Sequence, residues 1–171
     1  MDRIVLGAFP VTIGVVANTH GVISSGVLDA LRGCDLVVHA GDIGHVATLE
    51  ALRAVGRVVA VRGNSDRVPP LRELPDAVEI TAGAVRMLAL HNHAALEWSP
   101  DAEGFHVIIS GLWHQPSVKE QDGMTVVSPG SAAPGWPGMP TSLARIVVTE
   151  HGAQTRLVWI ESDPGGIAHH K

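Results

Sequence analysis

The ten residues Asp35–Gly44, DLVVHAGDIG, constrain this chain more than any other stretch. Leu36, Val37 and Val38 form an apolar run without polar alternation, the pattern of a parallel strand buried on both faces. The run ends in Gly41 and Asp42. In an open α/β sheet the ligand crevice lies beyond the carboxyl ends of the strands, which is where Asp42 is placed. Gly41 lets the backbone turn and leaves room for a close approach. Asp42 is therefore the candidate centre of a metal site, and the rest of the chain is read for its partners.

The flanking sequence predicts a strand–helix–strand–helix–strand unit. Val11–Ala17 (VTIGVVA) is an apolar, β-branched first strand that leaves through Asn18-Thr19-His20-Gly21. From Ile23 to Arg32, residues Ile23, Val27, Leu28 and Leu31 share one helical face, with Ser24 or Ser25 as N-cap and Gly33 as the stop. A second helix runs from His45 to Val55 with Val46, Leu49, Leu52 and Val55 inward. Arg57–Arg62 is the third strand, leaving through Gly63-Asn64-Ser65-Asp66. Parallel crossovers of this kind are right-handed. The segment before Val11 reads as a short lead-in; Pro10 and the lack of a small-residue cleavage site argue against a signal peptide.

The second half reads as hairpins and loops. Ala77–Thr81 and Val85–Leu90 flank Ala82-Gly83, and the second strand exits into His91-Asn92-His93. Ala94–Glu103 is read as a short helix, and Phe105–Ser110 as a strand ending in Gly111-Leu112-Trp113-His114. Ser117–Glu120 and Met124–Ser128 pair around Asp122-Gly123, and Leu143–Thr149 and Gln154–Ile160 around His151-Gly152. The sum is one α/β domain over residues 1–163, two packed mixed sheets with helices outside. Residues 164–171, with His169 and His170, are expected to form a disordered tail.

Composition narrows the function. A net charge of -5 without a Lys/Arg run argues against a nucleic-acid polymer as partner. One cysteine, Cys34, at a helix-to-strand turn, is read as inert and fits a reducing, cytoplasmic setting. No apolar run reaches the ~18 residues of a membrane span. No Gly-rich P-loop or G-x-G-x-x-G is present, which disfavours a nucleotide triphosphatase or a dehydrogenase.

Five strand exits carry metal-capable side chains: Asn18 with His20, Asp42, Asn64 with Asp66, His91 with His93, and His114. Mixed oxygen and imidazole donors suit manganese, zinc, iron or nickel better than magnesium or calcium. A carboxylate shared by two such half-sites is how a two-metal hydrolase holds cations roughly 3.5–4 Å apart around an in-line displacement. His39 precedes Gly41 and reads as a satisfied core histidine. Asp66 reads as an orienter of a histidine rather than a ligand. His93 reads as a ligand or as a group that touches a phosphate.

In order along the chain stand Asn18-Thr19-His20-Gly21, His39-Ala40-Gly41-Asp42, Gly63-Asn64-Ser65-Asp66, His91-Asn92-His93, Gly111-Leu112-Trp113-His114 and Ser128-Pro129-Gly130-Ser131. This series resembles the small calcineurin-like metallophosphoesterases. These are bacterial and archaeal phosphodiesterases, a family that also includes the phosphoesterase-fold subunit of retromer. Their pattern is D-x-H-G, H-A-G-D, G-N-x-D, H-G-H, G-H-x-H and N-P-G-S, and the likeness runs from about Val11 to Ala132. It implies a four-layer αββα sandwich and two metal sites sharing Asp42. One site would use position 18, His20, Asp42 and His114; the other would use Asp42, Asn64, His91 and position 112. Asn64 and His93 would stabilise the charge that develops on the phosphoryl oxygens.

This sequence departs from the pattern at ligands. Asn18 replaces an Asp and Leu112 a His, while Asn92 and Ser128 alter neighbouring loops. An Asn carbonyl can bind a metal but adds no charge, and Leu cannot ligate. The expectation is metal-dependent phosphodiester hydrolysis by a metal-activated hydroxide at an impaired or one-metal site. The cation would be divalent, manganese first, with one or two per chain. Ser65 stands where larger relatives place a histidine acid, which favours activated diesters. The alternative is a catalytically retired phosphoesterase fold that binds a protein partner. In that case Leu112 and Trp113 would plug the site and the loop Pro134-Gly135-Trp136-Pro137 would offer an aromatic anchor. Edge strands near the C-terminus leave open the pairing of two copies.

Overall fold

The structure is a computed structural model and describes residues 1–7, 9–135 and 138–161. The expectations on Trp136, Pro137 and the tail from 164 onward lie outside these residues, as do His169 and His170.

Two mixed sheets form the body. The five-stranded sheet has the order β11-β10-β2-β3-β4 and the six-stranded sheet the order β1-β5-β6-β7-β9-β8. The first consists of β2 (Val11–Val16), β3 (Leu36–His39), β4 (Val58–Ala60), β10 (Ser142–Thr149) and β11 (Gly152–Trp159). The second consists of β1 (Asp2–Leu6), β5 (Ala77–Ala82), β6 (Val85–Leu90), β7 (Val107–Ser110), β8 (Ser117–Gln121) and β9 (Met124–Ser128). β2, β3 and β4 run parallel, as do β6, β7 and β9 where they meet β7. The lead-in before Val11 is thus a strand of its own. It pairs with β5 in the opposite sheet, from Asp2 opposite Val78 to Leu6 opposite Ala82.

Side-chain alternation explains the layering. Val11, Ile13, Val15, Leu36 and Val38 meet Val85, Met87, Ala89, Val107 and Ile109 in one core between the sheets. The opposite face of the five-stranded sheet carries Val16 and Val37, packed on Val27, Leu31 and Leu52 of two helices. These are α1 (Ser25–Leu31), capped by Ser24, and α2 (Val46–Arg53), capped by His45. At Gly14 a Cβ would collide with Leu31, so the glycine sets how closely α1 approaches β2. The outer face of the six-stranded sheet presents Leu88, Leu90, Ile108 and Met124. Its cover is lighter than the predicted helix: a 3-10 turn at His93–Ala95, followed by turns that bring in Leu96 and Phe105. Pro100 and the Gly104 positive φ of 77° suit turns better than a helix.

Candidate metal centre

The parallel strands of both sheets end at one rim, so loops distant in sequence meet there. Pairing continues past the strands: the Asn18 amide donates to the Gly41 carbonyl at 3.0 Å and the His20 amide to the Asp42 carbonyl at 3.0 Å. The turn is tight enough that Asn18, His20 and Asp42 have φ of 56°, 45° and 58°. Among the described residues only Asp122 joins them as a non-glycine with positive φ. Such geometry costs of order 1–3 kcal/mol per residue and persists where surrounding contacts impose it, typically at functional sites.

Donor atoms of His20, Asp42 and His114 lie within 4.8 Å of one another. The His20 and His114 rings meet edge-on at 5.6 Å between centroids. Asp42 is buried, and its Oδ1 accepts from the Ser65 amide at 2.8 Å and the Ser65 hydroxyl at 2.9 Å. Burial alone would push its pKa up. The Ser65 hydrogen bonds and the nearby His91 outweigh that, and the carboxyl titrates below its usual range. For His114, burial and then the neighbouring His20 hold the pKa below that of a free imidazole, so the ring stays a neutral donor.

His91 gives the test of whether the residues fit a cation. Its Nδ1 is 2.9 Å from the Ala40 carbonyl, which can only accept, so Nδ1 carries the proton. The other ring nitrogen, Nε2, is buried, makes no hydrogen bond and faces Asp42 Oδ2 at 3.6 Å. With a neutral ring this contact sets a lone pair against the carboxylate, a conflict that a proton on Nε2 or a shared cation would relieve. Ligands of one tetrahedral cation with bonds of ~2.1 Å would be separated by about 3.4 Å. The spacing therefore fits a divalent ion that His91 and Asp42 would share, and the carbonyl bond to Nδ1 is the usual support for a metal-binding imidazole.

Asn18 is fully buried. Its Nδ2 donates to the carbonyls of Gly111 at 2.7 Å and Gly130 at 3.1 Å, while Oδ1 is buried without a hydrogen-bond partner. The two carbonyls fix the amide orientation, since a flip would set oxygen against oxygen. Oδ1 is thereby left as a neutral donor beside the segments that carry Asp42 and His114.

The remaining candidates take other places. Asn64 is exposed and lines a cleft of about 340 Å³ with Arg62, His91 and Asn92. His93 lines a different cleft, with Leu96, Trp98 and Met124, on the outer side of the six-stranded sheet. Its Nδ1 is 2.8 Å from the Ser110 hydroxyl, which itself donates to the His91 carbonyl at 3.1 Å. Asp66 orients backbone, not a histidine: it accepts from the amides of Ile43, Gly44 and Gly63 at 2.9–3.2 Å. His39 is the satisfied core histidine expected. It accepts from the Gly41 amide through Nδ1 and meets the Thr19 hydroxyl at 2.8 Å through Nε2. Sequence reasoning missed Ala40 and Gly130, whose carbonyls orient His91 and Asn18; backbone acceptors leave no residue-type signal.

The chain matches the model of the calcineurin-like phosphoesterase superfamily domain over residues 11–151. It belongs to that superfamily. Among its relatives is a probable metallophosphoesterase of Methanothermobacter thermautotrophicus, 31% identical over 131 residues, covering 70% of this chain and 76% of the relative. A structure described as a novel archaeal phosphodiesterase superposes with a TM-score of 0.70 at 17% identity, over 86% of this chain and 99% of that one. Wild-type Vps29 of Entamoeba histolytica, solved with zinc, has a TM-score of 0.66 at 19% identity, over 86% and 98%. These two structures share the fold of this superfamily member, with its paired mixed sheets.

Proposed function

We propose that this protein hydrolyses a small phosphodiester with one divalent cation, manganese, zinc, iron or nickel, at Asp42. The observation that carries the reading is the meeting of His20, Asp42 and His114 within 4.8 Å, with His91 Nε2 turned on the same carboxylate. His20, Asp42 and His114 would hold the ion, with Asn18 Oδ1 as a neutral fourth donor. Asp42, Asn64 and His91 remain as a second half-site that Leu112 leaves one ligand short. The donor set contains a single carboxylate. Two divalent cations ~4 Å apart repel by roughly 17 kcal/mol at an effective dielectric of 20, so each missing anion weakens double occupancy steeply.

A bound cation supplies a Lewis acid for a phosphoryl oxygen and acidifies a water. The chain's own residues do the rest. Ser65 keeps Asp42 ionised through two hydrogen bonds. That use of its hydroxyl leaves Ser65 unable to protonate a leaving group, so diesters with good leaving groups are favoured. Asn64, at the rim of its cleft, offers amide hydrogens to the phosphoryl oxygens. His93 acts through Ser110 and the His91 carbonyl, as a positioning residue.

Elemental analysis of the purified protein, with bis-p-nitrophenyl phosphate turnover under added manganese, tests this. One equivalent of metal and slow turnover are expected, both lost in Asp42→Asn. Two tightly held equivalents would refute the one-cation site. Absence of turnover with every candidate metal would favour the second reading, a binding module, for which the 56% exposure of Trp113 beside Leu112 speaks.

A further inference from the structure

The loop that delivers His114 also shapes a cleft of about 440 Å³ lined by Trp113, His114, Pro116, Lys119 and Met139. This volume lies in the range that accommodates small ligands. Trp113 is 56% exposed although its neighbours Gly111 and Ser128 are buried. An indole can bury 150–250 Å² on contact, and the fold leaves much of this one uncovered at the edge of the metal centre. Its backbone is held rigidly: the buried Ser128 hydroxyl reaches the carbonyls of Trp113 at 2.9 Å and Gln115 at 3.0 Å. Lys119, on β8, adds a cation to the same cleft.

We propose that this cleft is a subsite for a flat aromatic group of the substrate. Trp113 stacks on the ring, and Lys119 attracts the adjoining phosphate charge while His114 faces the reacting end. The inference rests on the phosphodiesterase reading and narrows it to diesters that carry an aryl or nucleobase group. Stacking on an aromatic side chain is sequence-tolerant for bases and equally open to a phenyl ring, because both present a π-face.

The test uses three diesters with the same p-nitrophenolate leaving group: phenyl, thymidine 5′- and ethyl p-nitrophenyl phosphate. The protein is loaded with manganese. The ratio of kcat/KM for the aromatic substrates to that for the ethyl substrate is expected to fall about tenfold in Trp113→Ala. It should be retained in Trp113→Phe. The arm with the larger effect, thymidine or phenyl, identifies the kind of ring. A second readout does not need turnover: quenching of tryptophan fluorescence by phenyl phosphate, but not by ethyl phosphate, that disappears in Trp113→Phe. Quenching without turnover would sustain the subsite and remove the hydrolytic reading. Turnover with an unchanged substrate ratio and no Trp113-dependent quenching would overturn the subsite and leave the hydrolytic reading standing.

Discussion

Asn18 shows how one side chain can be both a departure from a family pattern and a structural requirement of this chain. Its two amide hydrogens serve two buried carbonyls, of Gly111 and Gly130, and tie the exit of β2 to loops after β7 and β9. An aspartate there would point an acceptor at both carbonyls and place a charge in a buried site. Restoring the family's residue is therefore expected to harm the metal-free protein. Asn18→Asp should lower stability by about 3 kcal/mol, a fall of roughly 6–12 °C in Tm at this chain length. Thermal denaturation in EDTA measures it, and addition of manganese should return part of the loss, because the cation compensates the new charge. An unchanged Tm would mean that the amide is not bonded as described. The Asp could be read from a pattern as missing; the reason the Asn is kept could not.

At the level of elements, the site exists because loops from two sheets approach within van der Waals distance, and glycines make that approach possible. A Cβ on Gly111 would collide with the Ala40 carbonyl and lie 2.9 Å from His91 Nδ1. Gly41 has φ of 92°, and a Cβ there would lie 2.7 Å from the same His91 Nδ1. Gly111→Ala is expected to push apart the loop bearing His114 and the strand end bearing Asp42. The cost should exceed about 3 kcal/mol, in the range of overpacked cores, and the metal content should drop below half an equivalent. Urea denaturation and elemental analysis check the two effects. By comparison Gly33→Ala, where no atom lies within 4 Å of the added carbon, carries only the strain of a φ of 75°. The paired hairpins, both helices, the serine cap of α1 and the three parallel strand ends were legible in apolar spacing and turn residues; the cap that His45 makes on α2 was not. β1 was not, because a five-residue strand of mixed burial carries no periodicity strong enough to choose a sheet. Nor was the cover of the outer face, where Leu96 and Phe105 close the layer from turns.

For the molecule as a whole, burial of His39 makes stability depend on pH. The ring lies fully inside, and burial pushes its pKa down to about 4 from 6.5 against the opposing charges of Asp66 and Asp42. The unfolded chain takes up a proton near pH 6.5 and the folded chain only near 4, so unfolding binds a proton in that window. Stability is whole above pH 6.5 and is lost as pH falls to 4, by on the order of 3 kcal/mol. Urea midpoints at pH 7, 5 and 4, measured in EDTA so that metal release does not contribute, should trace that decline. A flat profile across the window would place His39 elsewhere than in the core.

By itself, the order of motifs along the chain determined the family and marked the strand ends that carry donor side chains, Asp42 among them. These are properties of local spacing, and spacing survives in a sequence. Tertiary structure alone decided which donor atoms meet and how they are oriented. It turned Asp66 to backbone amides, left His91 Nε2 bare against Asp42, and set His93 behind Ser110. Such choices follow from satisfying every buried hydrogen bond across two sheets at once. The partners are mostly backbone carbonyls and amides, which every residue possesses and no sequence pattern distinguishes.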